Sequence, residues 1–136
     1  MRFTVEHLGL AAKNPDTLAS WYVNTLRAER VFSTGDSPST HFVRIGGNLI
    51  LEIYTAAEVS SATANNRLAG WRHLALQVGS IEDAKAALER SGVVFQDLIK
   101  PAGGGGRVLF FADPEGNLLH LVERPAGSVF LEAAGS

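Results

Sequence analysis

Three histidines and one glutamate stand at positions that repeat along this chain. His7 opens the run His7-Leu8-Gly9-Leu10, and His73, 66 positions later, opens His73-Leu74-Ala75-Leu76. Glu52 lies inside Leu49-Ile50-Leu51-Glu52-Ile53-Tyr54, and His120, 68 positions later, lies inside Asn117-Leu118-Leu119-His120-Leu121-Val122. Each of the four interrupts an otherwise apolar stretch. A lone carboxylate on an apolar surface costs several kcal/mol or shifts its pKa until it is neutral. A shared divalent cation removes that cost and engages the imidazole nitrogens as well. Three imidazoles and a carboxylate without sulfur suit Zn, Ni, Co, Mn or Fe and are poor for Ca. The quartet His7, Glu52, His73 and His120 is therefore the candidate metal site.

The elements that must position these residues also recur. Phe3 to Leu10 has a strand's composition, and Asn14-Pro15 opens a helix carrying Leu18, Tyr22 and Leu26. Ser33 to Ser39 reads as a loop, and Thr40–Ile45 and Leu49–Tyr54 as strands joined around Gly46-Gly47. The second half expects a strand over Trp71–Val78 and a helix opened by Ser80-Ile81-Glu82-Asp83 and ended by Gly92. A short strand over Val93–Phe95 and a hairpin of Val108–Ala112 with Leu118–Val122 around Asp113-Pro114-Glu115-Gly116 follow. The expected organisation is a single domain over 1–136. Its first module runs from about 3 to 55, a small, polar linker from 56 to 69, a second module from 70 to 124, and a tail from 125 to 136.

Alternate residues of a strand face opposite sides of its sheet, which allows a test of the quartet. Leu8, Leu10, Leu49, Leu51, Ile53, Leu74, Leu76, Leu119 and Leu121 are placed toward the helices. That leaves His7, Glu52, His73 and His120 together on the opposite face. Tyr54 and Trp71 share this ligand-face parity and are candidate pocket walls. Glu123 falls on the helix side and is discounted as a ligand. His41 has no counterpart in the other half and is read as an ordinary satisfied polar residue.

Other features bound the function. The chain has 136 residues and 14.5 kDa, 46% hydrophobic and 19% charged, which suits one globular domain. A net charge of −2 gives no reason to expect nucleic acid. With no cysteine, disulfides, thiolate metal sites and cysteine nucleophiles are excluded. No apolar leader or membrane-length segment is evident, so a cytoplasmic location is expected. Gly103-Gly104-Gly105-Gly106 lacks the Lys-Ser/Thr of a phosphate-binding loop. It is expected to be a flexible loop over the site, with Arg107 reaching an anionic substrate group.

The motifs His7-Leu8-Gly9-Leu10, Trp71-Arg72-His73-Leu74-Ala75-Leu76-Gln77-Val78 and Phe110 through Glu123 resemble the vicinal oxygen chelate superfamily. It includes glyoxalase I, methylmalonyl-CoA epimerase, extradiol dioxygenases and fosfomycin- and bleomycin-resistance proteins. The likeness covers about residues 3 to 124. It implies an α+β fold of two βαβββ modules forming a cup-shaped mixed sheet with helices outside. It also implies metal ligands at positions 7, 52, 73 and 120, the set that parity selects. His120 departs from the pattern, because the lyases, isomerases and dioxygenases usually carry glutamate there. Glutamate or glutamine at position 52 leans toward the lyase and isomerase branches. The expectation is a metal-dependent lyase or isomerase, with Glu52 as base, acting on a small substrate chelated through two neighbouring oxygens. The alternatives are an Fe(II) ring-cleaving dioxygenase and a non-enzymatic sequestering protein. Because each half offers only half the ligands, a homodimer with sites at the interface is expected, with Val129-Phe130-Leu131 suited to a partner surface.

Overall fold

Asn14 begins the first helix as its chemistry requires. Its side-chain oxygen accepts the Thr17 backbone N–H at 3.2 Å, and Pro15 occupies the first helical position, where no N–H is needed. The resulting helix α1 (Pro15–Leu26) buries Leu18, Ala19 and Tyr22. It follows strand β1 (Leu8–Ala12) and precedes β2 (Glu29–Ser33), β3 (His41–Ile45) and β4 (Leu49–Thr55). These form a sheet in the order β1-β4-β3-β2, in which β1 runs parallel to β4 and the other pairs are antiparallel. The computed structural model describes residues 1–131; the end of the C-terminal tail lies outside the described residues.

The second half repeats the order. Strand β5 (His73–Gln77) leads into helix α2 (Ile81–Arg90), then β6 (Lys100–Pro101), β7 (Arg107–Ala112) and β8 (Leu118–Glu123). Ser80 caps α2 by accepting the Asp83 N–H. The sheet order is β5-β8-β7-β6, again with first and last strands parallel. The fold is thus α+β, with two helices and two four-stranded mixed sheets. Each helix packs on one face of its own sheet, α1 on β3 and β4, α2 on β7 and β8. Val43, Ile45, Leu51 and Ile53 are buried under the first helix, and Leu109, Phe111, Leu119 and Leu121 under the second.

Three sequence boundaries shift. Residues 1–7 are not in a strand, so β1 begins after His7 and runs on to Ala12. β5 likewise begins at His73, and Trp71 precedes it. No strand forms over Val93–Phe95; the short pairing with β7 is made by Lys100 and Pro101 instead. Beyond Gly92 the chain runs 93–99 without a ladder, and β2 occupies residues that the sequence left between a helix and a loop.

By contacts the chain divides into two compact units, Met1–Ala62 with Asp113–Gly116, and Thr63–Ala112 with the residues from Asn117 onward. The turn between β7 and β8 therefore belongs to the first unit, and its polar groups explain why. The Glu115 carboxylate accepts the backbone N–H groups of Lys13 (2.6 Å) and Asn14 (2.9 Å). Asp113 is buried, accepts the Glu115 N–H, and receives the Tyr22 hydroxyl at 2.8 Å. Burial, reinforced by the Asp113 charge, pushes the Tyr22 phenol far above its ordinary pKa, so it remains a donor.

Replacing Tyr22 with phenylalanine removes the donor in a buried, charge-assisted bond. The change should lower unfolding free energy by about 1–3 kcal/mol, seen as a lower urea midpoint at unchanged slope. An unshifted midpoint would show that this bond contributes nothing net to stability.

Candidate metal centre

In the first unit, the parallel register sets Gly9 beside Glu52, so His7, two residues before Gly9, shares the face of Glu52. The side chains meet there, His7 Nε2 lying 3.5 Å from Glu52 Oε1. Both side chains are about one-third exposed, so their heads are open to a small ligand. In the second unit, Ala75 pairs with His120, and His73 stands two residues upstream on the same face. The His73 and His120 ring centroids are 4.8 Å apart. Each unit thus gathers one sequence-selected pair, and within neither do the described residues gather three metal-competent side chains.

The other nitrogen of each imidazole is already engaged. His7 Nδ1 lies 2.9 Å from Glu6 Oε1, His73 Nδ1 lies 2.8 Å from Asn66 Oδ1, and His120 Nδ1 lies 3.2 Å from the Leu121 carbonyl. Each Nδ1 thus lies beside an oxygen acceptor, and a proton held there leaves Nε2 with a lone pair that a ligand can use. Burial holds His120 below the usual imidazole pKa, with the His73 and Arg124 charges adding to the effect and the Leu121 carbonyl opposing it. A neutral imidazole is the form that binds a metal.

Two phenylalanines complete these surfaces. Phe42 pairs with Glu52 across β3–β4 and meets the His7 ring edge-on at 5.8 Å. Phe110 pairs with His120 across β7–β8 and lies 4.8 Å from His120 and 5.5 Å from His73. The sequence reading missed both. The available signal was their spacing of 68 positions, the same as between Glu52 and His120. Tyr54 lies on the Glu52 face against Gly9, where an added Cβ would stand 3.3 Å from the Tyr54 ring. Trp71 is strongly exposed beside the second pair's strand.

Arg107 requires a correction. Its guanidinium is held by both oxygens of Glu82 (2.8 and 2.9 Å) and by Glu123 (3.0 Å), which raises its pKa further. Odd parity in β7 turns it toward α2, where it links helix to sheet, so it does not reach for an anionic substrate. Glu123 also accepts the Ile81 N–H at the start of α2, as its helix-side parity implied. The glycine run is not a loose cover either. Arg124 Nη1 donates to the Gly103 and Gly105 carbonyls, and Phe130 lies on the Arg124 guanidinium at 3.9 Å. At Gly106 (φ 95°) a Cβ would fall 1.9 Å from the Glu123 carbonyl, so only glycine fits this close approach. His41 is a satisfied polar group, bonded to Asp16 at 2.7 Å.

Residues 4–121 match the family described as the Glyoxalase/Bleomycin resistance protein/Dioxygenase superfamily. A glyoxalase family protein from Enterococcus faecalis is 25% identical, with a TM-score of 0.74 over 88% of this chain and 97% of that one. A glutamate-to-glutamine mutant of FosX, a genomically encoded fosfomycin resistance protein from Listeria monocytogenes, crystallised with Mn(II) and 1S,2S-dihydroxypropylphosphonic acid, is 22% identical. Its TM-score is 0.68 over 93% of this chain and 94% of that one. The protein YwkD of Bacillus subtilis (strain 168) is 23% identical over 124 residues, 89% of this chain and 97% of that protein.

Replacing His73 with alanine should abolish stoichiometric binding of Zn(II), read by calorimetry, since no other imidazole can take its place. Glu123→Gln should retain binding while lowering the thermal midpoint, because it weakens the Ile81 and Arg107 contacts. Equal metal loss in both variants would contradict the assignment of faces.

Proposed function

The chain belongs to the Glyoxalase/Bleomycin resistance protein/Dioxygenase superfamily, and from that premise we propose that it is a metal-dependent lyase or isomerase of glyoxalase type. Its substrate would be a small molecule offering two neighbouring oxygens. The observation that carries this reading is that each unit brings its own pair together, His7 Nε2 lying 3.5 Å from Glu52 Oε1 and the His73 and His120 rings 4.8 Å apart, with an acceptor at the Nδ1 of each histidine. His7, Glu52, His73 and His120 would hold one divalent cation, and the crystallisation of FosX with Mn(II) supports such use within this fold. When bound, the ion supplies Lewis acidity to the two substrate oxygens.

The chain's own residues account for the rest. Glu52 is the group that accepts a proton from a C–H beside a carbonyl, and it has the only carboxylate in the quartet. His120, where relatives of this type usually carry glutamate, is a neutral ligand and leaves the proton transfer to Glu52. Phe42 and Phe110 flank the two pairs and keep water from the reacting carbon. Tyr54 and Trp71 would wall the substrate.

The site would be shared across a homodimer, with His7 and Glu52 of one chain facing His73 and His120 of another. Two observations support this. Among the described residues β1 pairs only with β4 and β5 only with β8, leaving each a free edge of the kind that proteins normally cover. Phe3, Val5 and Trp71, beside those edges, are almost fully exposed.

A mixing experiment tests the shared site. His7→Ala and His73→Ala chains, each unable to bind Zn(II) alone, should regain roughly a quarter of the sites when exchanged one to one, because half the dimers are mixed and each holds one intact site. No recovery between exchanging chains would place the site within one chain.

The base is tested separately. Glu52→Gln should keep much of the metal affinity through its amide oxygen, yet lose about 10²–10⁴-fold in turnover of an α-hydroxy carbonyl substrate. Unchanged turnover would remove Glu52 from the mechanism. Oxygen consumption with a catechol by iron-loaded protein would favour the dioxygenase reading, and tight binding of a planar molecule by metal-free protein would favour sequestration.

A further inference from the structure

The two halves orient their first histidine by different means, and the difference assigns a role to the segment between them. In the first half the acceptor for His7 is its chain neighbour Glu6. The position 66 residues later is Arg72, a cation whose side chain has no hydrogen-bond acceptor to offer. His73 therefore needs an acceptor from elsewhere, and Asn66 supplies it at 2.8 Å.

Arg72 itself helps deliver that acceptor. Its Nη1 donates to the Asn65 carbonyl at 3.2 Å, and the same carbonyl accepts the Leu68 N–H at 3.3 Å. The Asn65 side chain accepts the Arg67 N–H at 3.0 Å, closing a side-chain-supported turn. These bonds hold residues 65–68 just after a 3-10 turn at Ser61–Ala64, so that Asn66 meets the imidazole from a fixed backbone. The stretch that reads as a linker is thus a built support for His73.

We infer that Asn66, clipped in place through Asn65 and Arg72, is a positioning residue that fixes His73 as the Nδ1–H tautomer and presents its Nε2 to a metal. The inference rests on the metal reading above only for its consequence in affinity; the tautomer is a property of the metal-free protein. A neutral amide gives His73 orientation without added negative charge, whereas the carboxylate of Glu6 gives His7 both. Groups that orient metal-ligating histidines typically contribute about 10–100-fold in affinity.

The test uses the full chain with Asn66→Ala and Asn66→Asp. Imidazole ¹⁵N shifts of metal-free protein should report His73 protonated at Nδ1 in the wild type and in Asn66→Asp, and a mixture in Asn66→Ala. Zn(II) affinity by competition with a chelating dye should fall about 10–100-fold in Asn66→Ala and be largely retained in Asn66→Asp. Thermal midpoints close to wild type in both variants keep the comparison free of unfolding. His73 protonated at Nε2 in the wild type, or the same tautomer in Asn66→Ala, would overturn the assignment. Wild-type protein that binds Zn(II) with an affinity unaffected by Asn66→Ala would overturn it as well. Wild-type protein that takes no Zn(II) but shows the predicted tautomer change would sink the metal reading and uphold the role of Asn66.

Discussion

The parallel pairing of first and last strand within each half is the constraint on which the candidate site depends. It sets Gly9 beside Glu52 and Ala75 beside His120, bringing together residues more than forty positions apart. A shift of one residue in either pairing would turn one member of the pair toward the helix, because the side-chain period of a strand is two. Such a shift would turn Glu52 or His120 toward the helix side and expose leucines in their place. The register is therefore held by hydrophobic burial on one face, and the ligand face inherits its geometry. The functional arrangement is a by-product of a packing requirement.

Charge is distributed along the same division. On the helix side five carboxylates are matched locally. Glu123 and Glu82 share Arg107, Asp113 receives Tyr22, Glu115 takes two backbone N–H groups, and Asp16 is bonded to His41 and Ser39. The carboxyls of Asp16, Glu82 and Glu123 are held below their usual range by these partners. Such pairs at the surface contribute modestly to stability, but they direct where helices and turns sit. Among the described residues Glu52 has the nearby His7, and the three imidazoles each have an acceptor at Nδ1. The contrast separates groups that hold the fold from groups left available for a ligand.

The duplication is close in backbone and loose in chemistry. Both halves keep strand, helix and three strands, a histidine at the first strand, and a phenylalanine beside the last. They differ in the residue before the histidine, in Glu52 against His120, and in the burial of the two sites. His120 is buried, whereas Glu52 is part-exposed. The first unit pairs an imidazole with a carboxylate, and the second pairs two imidazoles, one of them buried.

Much of this was legible in the residues. The offset of the two histidine runs, the alternation of leucines around Glu52 and His120, and the Asn14-Pro15 and Ser80 caps determined the two modules. They also determined that His7 shares a face with Glu52 and His73 with His120, because periodicity and capping are local properties. The exclusion of Glu123 followed from parity alone. Tertiary structure decided what depends on partners distant in the chain. Arg107 could be judged only once Glu82 and Glu123 were seen to enclose it, since a cation's availability is set by its neighbours in space. The glycine run acquired its role from Arg124 and Phe130, and Asp113-Pro114-Glu115-Gly116 from Tyr22 and the start of α1. Asn66 carried no signal in the sequence, because a hydrogen bond from a linker to a strand obeys no period.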